Sequence, residues 1–198
     1  MLVITERYRN SARRVRDSLL TVLTILLSIL LFVVSPLQAT GVLAPGYVGF
    51  GFGLVLIPAA VIVSNSRVAV GLILVAIVLV FVAAFLELRQ STEIDIVLDA
   101  SAWLIAGLTL STAVARAVFG PGKVTFHRII GAVLLYLIIG QIFVALFCIV
   151  AVFASNSFNN MGSMQGNFPF PETLIYYSFV TLTTMGYGDI VPVHPFCP

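Results

Sequence analysis

The chain has 198 residues, of which 60% are hydrophobic and only 9% are charged. Soluble globular domains carry about 25% charged residues, so this composition excludes an ordinary soluble domain and points to an integral, multi-pass membrane protein. The net charge of +2 says little, and two cysteines, Cys148 and Cys197, supply neither a disulfide framework nor a metal-ligand spacing.

Residues 1–18 form a basic segment, with Arg7, Arg9, Arg13, Arg14 and Arg16 set against Glu6 and Asp17. Such a juxtamembrane patch either holds anionic membrane lipids or simply sets topology. It is short and runs straight into a span, so no nucleic-acid partner is expected. Residues 19–36 are apolar apart from Ser and Thr. With the L-Q-A-T that follows, they have the outline of a signal peptide. The run is long for a signal and more spans follow, so a retained first helix is expected. A second candidate span, residues 47–64, has Gly49 and Gly53 in small-xxx-small spacing, which either lets it pack closely or leaves a flexible, poorly packed helix kinked at Pro58. A third, residues 68–86, has no charge and meets the spanning threshold of about 18 residues.

A polar loop at 87–95 leads to a fourth span, 96–119, with Asp99 near one end and Arg116 near the other. F-G-P-G-K, residues 119–123, breaks the helix. The fifth run, 129–154, contains Gly131, Gly140 and one amide, Gln141, which either bonds across helices or is merely tolerated. Cys148 reads as a small core residue. Residues 155–170 are an uncharged polar loop without an Asn-x-Ser/Thr acceptor. P-E-T-L-I-Y-Y-S-F-V-T-L-T, residues 171–183, then reads as a short helix. Pro171 suits a first helical position, and Glu172 complements the positive dipole end. A dozen residues span about 18 Å, little more than half of a hydrocarbon core of about 30 Å. This helix enters the membrane without crossing it. The predicted fold is an all-α membrane protein with about five transmembrane helices and a re-entrant half-helix with the loop that follows it.

The charges give an independent reading of topology. Five spans with a cytoplasmic N-terminus put Arg7, Arg9, Arg13, Arg14, Arg16, Arg67, Arg116, Lys123 and Arg128 inside and only Arg89 outside. That is a strong positive-inside bias. Glu87, Glu93, Asp95, Asp99, Glu172 and Asp189 fall on the outer side, so the half-helix dips in from outside.

After it comes T-L-T-T-M-G-Y-G-D, residues 181–189. Gly186 and Gly188 flank Tyr187, and glycine enters left-handed backbone conformations at little steric cost. A strand alternating between the two hands turns successive carbonyls to one side, and such a row replaces the water shell of a bare cation. Thr184 adds a hydroxyl at the inner end, and Tyr187 can brace the loop from behind. No paired His, Cys or carboxylate arrangement suggests an enzyme.

On these residues, 124–195 resemble the outer helix, pore helix and selectivity filter of potassium channel subunits. The resemblance implies a homo-tetramer around one axis, with K+ as permeant ion and no cofactor. Thr184, Met185, Gly186, Tyr187 and Gly188 would bind the ion through their inward oxygens. Met185 stands where Val, Ile or Leu is more usual. Thr181, Thr183, Tyr176, Tyr177 and Asp189 would support the filter. The tyrosines buttress it or anchor at the membrane interface. Asp189 bonds back to Tyr176 or concentrates cations at the mouth. Residues 19–123 form a four-helix transmembrane region that resembles a voltage sensor in number only. Steep sensing needs about 3–4 gating charges per subunit, and the fourth span offers Arg116 alone.

A family subunit has a further span after its filter. H-P-F-C-P, residues 194–198, is too short for one, so 124–198 is expected to be a pore domain truncated before the inner helix. A non-conducting subunit that co-assembles with and inhibits complete subunits is the alternative. A potassium transporter with pore loops is a looser resemblance. The plasma (inner) membrane is the expected location.

Overall fold

The computed structural model describes residues 18–39, 47–62, 66–87, 93–120, 125–154, 158–159 and 170–193. The basic patch up to Asp17, most of the loop at 155–170 and the tail from His194 lie outside them.

Apolar runs become helices here because a backbone in lipid must satisfy its own N–H and C=O groups. Helix α1 crosses as Ser18–Leu37. Its Leu30–Val34 stretch is a π-helical turn. Pro36 follows, and a proline ring presses on the carbonyl four residues back; the widened turn makes room for it. Helix α2 spans Tyr47–Ile62, α3 Arg67–Glu87, α4 Glu93–Val118, α5 Phe126–Phe153 and α6 Phe170–Leu182. Two short strands, β1 (Phe158–Asn159) and β2 (Val191–Pro192), pair antiparallel.

Among the described residues, four helices are long and apolar enough to cross a membrane: α1, α3, α4 and α5. Helix α2, read as the second span, has 16 residues, or about 24 Å. It runs on through Pro58. It nevertheless reaches along most of α3. Near one end, Gly53 lies against Val80 and Phe81. At the other, Ile62 shares a cleft with Ser66, Val68 and Arg116. The glycines at close approaches are Gly53 and Gly51; a methyl on Gly51 would come within 2.7 Å of Leu30 on α1.

Helices α4 and α5 are antiparallel partners. A methyl on Gly107 would meet Ile142 at 2.7 Å, and one on Gly131 would meet Val118 at 2.9 Å. Hydroxyls inside the helices donate to their own turns, as Thr24 does to the Leu20 carbonyl and Ser101 to that of Val97. The interior is closed by Leu23, Leu56, Ile73, Val80, Val114, Leu134, Val144 and Leu174, while Ile25, Val78 and Phe85 face outward, where lipid would cover them. Helix α1 touches α6: Phe32 meets Phe179 at 5.9 Å between ring centroids. Lower on α1, Thr21 Oγ1 lies 3.3 Å from His127 Nδ1 at the start of α5.

Candidate ion-conduction site

Helix α6 is 13 residues long, or about 20 Å, so it is a half-span. Its buried face carries Leu174, Ile175 and Ser178. The Ser178 hydroxyl donates to the Gly140 carbonyl at 2.7 Å. The absent side chain of Gly140 lets the Phe179 ring lie where a methyl would stand 2.7 Å away. Tyr136 flanks the same ring at 6.1 Å. These contacts fasten the short helix to α5.

The end of α6 leads into the candidate strand, residues 184–188. Met185 N–H donates to the Val180 carbonyl at 3.0 Å, and Thr184 N–H to that of Thr181 at 2.9 Å. This pair of bonds is a Schellman cap, which requires a left-handed residue just past the helix. That residue is Thr184, with φ +58°. A β-branched residue is uncommon there. Gly186 follows at φ +51° and Gly188 at φ +74°. Every second residue from 184 to 188 is therefore left-handed, while Met185 and Tyr187 are not. Thr183 donates its hydroxyl to the Phe179 carbonyl at 2.7 Å, within the last turn of α6. Thr181 is exposed and serves the cap through its carbonyl.

The strand is bare in the single chain. Residues 184–189 are all exposed, Met185 by 58% and Tyr187 by 64%. A methyl added at Gly186 or Gly188 would meet no atom within 4 Å. Beyond the strand, the Tyr176 hydroxyl donates to Asp189 Oδ2 at 2.8 Å. That hydrogen bond holds the Asp189 carboxyl below the usual carboxylate range. Ile190 is buried, and β2 then pairs with β1.

The two adjacent tyrosines diverge. Tyr176 reaches Asp189, whereas Tyr177 enters a ring cluster with Phe147 at 5.0 Å and Phe158 at 5.4 Å. Phe158 belongs to β1, so the cluster anchors the strand that pairs with β2, just after residues 184–189. Sequence reasoning missed Phe147, Phe158, Ser178 and Phe179. Their partners lie across loops, and no local motif marks them. Gln141 is buried with neither amide atom bonded among the described residues.

No curated protein and no solved structure matches the chain. Residues 131–197 match the family model described as an ion channel. The match covers the last third of the 198 residues, the part that holds most of α5, all of α6 and residues 184–188. The match makes this part of a multi-pass membrane protein similar to ion channels.

Proposed function

We propose that the chain is a subunit of a potassium-selective channel, in which four copies surround one axis and each contributes residues 184–188 as a filter strand. The observation that carries this reading is the alternation of backbone hand across T-M-G-Y-G at the end of a half-span helix. In potassium channels a row of backbone carbonyls takes the place of the ion's water shell. The oxygens of Thr184, Met185, Gly186, Tyr187 and Gly188 would do so here, with K+ as the only bound species and no cofactor. The bareness of the strand supports a tetramer, because irregular backbone at membrane depth needs a protein wall. Three further copies would supply it.

The charge pattern supports a cytoplasmic N-terminus in an inner (plasma) membrane. In that orientation α6 descends from outside, and its C-terminal dipole end, at Leu182, favours a cation at mid-membrane. Asp189 would then sit at the outer mouth. With Arg116 as the one basic residue on α4, conduction would depend weakly or not at all on voltage. The test is ion flux in vesicles through residues 1–198 joined to the inner helix of a potassium channel subunit, the span that the pore domain is expected to need. Dissipation of a K+ gradient but not an equal Na+ gradient is expected, and equal passage of both ions would overturn the assignment.

A further inference from the structure

A cleft of about 470 Å³ opens where the end of α2, the start of α3 and the last turns of α4 meet. Its walls are of two kinds. Val68, Leu72 and Leu108 are exposed apolar residues that lipid would cover, at 74%, 42% and 55% exposure. Arg116, Ser66, Thr109 and Thr112 form the polar side. The hydroxyls of Thr109 and Thr112 already donate to the carbonyls of Ile105 and Thr109, at 2.6 and 2.9 Å. Ser66 Oγ accepts the Ala69 N–H at 3.4 Å, which leaves its own O–H to donate outward. The start of α3 adds the positive end of a helix dipole. Among the described residues no carboxylate lines the cleft. The polar side therefore presents donors and positive charge to an anion, and it does so beside a greasy wall.

We infer that this cleft binds an anionic phospholipid. The phosphodiester lies against Arg116 and the Ser66 hydroxyl, and the first part of an acyl chain lies along Leu72 and Leu108. A free phosphate would use the polar side alone and leave the apolar wall uncovered, so the mixed lining selects the lipid. Basic pockets between transmembrane helices on the cytoplasmic side are suited to acidic headgroups. The location in the cytoplasmic leaflet rests on the topology proposed above; the binding itself does not.

The test is native mass spectrometry of the full chain in detergent, titrated separately with phosphatidylglycerol, phosphatidylcholine and inorganic phosphate. Detergent removes the leaflets and the ion gradient, so the result is independent of orientation and of conduction. Retention of phosphatidylglycerol over phosphatidylcholine is expected. Arg116→Gln should weaken phosphatidylglycerol binding by about fivefold, the effect of one basic residue at a headgroup, and Arg116→Lys should restore most of it. Leu108→Trp, on an exposed wall, should block the chain and lower binding without removing charge. Equal retention of the two lipids, or unchanged phosphatidylglycerol binding in both Arg116→Gln and Leu108→Trp, would overturn the proposal. Inorganic phosphate competing as well as the lipid would also overturn it, reducing the cleft to a simple anion site.

Discussion

Gly186 and Gly71 form a controlled pair for testing the filter geometry. A methyl added at either position meets no atom within 4 Å, so neither substitution crowds a neighbour in the chain. They differ in backbone. Gly186 has φ +51°, while Gly71 sits inside α3 without a positive φ. An L-residue in the left-handed region costs about 1–2 kcal/mol. In a helix interior, replacing glycine by alanine gains about 0.5–1 kcal/mol. Gly186→Ala should therefore strain each filter strand by about 1–2 kcal/mol, or about 4–8 kcal/mol over the four strands of the proposed assembly. At about 1.4 kcal/mol per decade, the conducting conformation would lose a factor of roughly 10³–10⁶ in population.

The assay is K+ flux per protein in vesicles, read on the same fusion to an inner helix, alongside thermal unfolding of the chain in detergent. Gly186→Ala should abolish selective flux while the helices remain folded, because residues 184–189 add almost nothing to the buried core of the single chain. Gly71→Ala should conduct normally and unfold at a slightly higher temperature. Selective flux of ordinary size through Gly186→Ala would refute the claim that backbone hand at this position makes the site.

Ser178→Ala removes a buried donor to the Gly140 carbonyl and should cost about 1 kcal/mol, read as a lower unfolding temperature in detergent. Gly140→Ala places a methyl 2.7 Å from the Phe179 ring and should cost about 1–3 kcal/mol by overpacking; adding Phe179→Leu should recover part of that loss, and no recovery would contradict the assigned clash. The Asp189 carboxyl is held low first by the Tyr176 hydroxyl. A folded value below the unfolded one, near 3.9, means that the contact stabilises above that pH. It is lost as pH falls through the folded value. Tyr176→Phe should raise the Asp189 titration towards the ordinary range in a carboxyl-carbon NMR titration, and an unmoved midpoint would show that the bond has no influence in solution.

What was legible in the chain, and what was not, divides along physical lines. The half-span length of α6 and the left-handed glycines follow from local rules, because length and glycine act without reference to distant residues. Helix partners were harder to read. In lipid the spans are apolar on every side, so no polar stripe tells one face from another, and small residues decide where backbones approach. Hence Gly51, outside the expected Gly49–Gly53 pair, meets α1. Hence also the contact of Phe32 with Phe179 was invisible until the fold was known.

Thr184 is the instructive case. Its residue type argues against a positive φ, yet the structure has φ +58° there. The cause is the helix before it. Met185 and Thr184 close the last turn of α6 through Val180 and Thr181, and that cap demands a left-handed residue at 184. The alternation across 184–188 thus has two sources. Glycines permit it at 186 and 188, while the end of α6 imposes it at 184. Motif reading finds the first source. The second belongs to the way this helix stops, with the turn after it closing carbonyls that the helix itself leaves open.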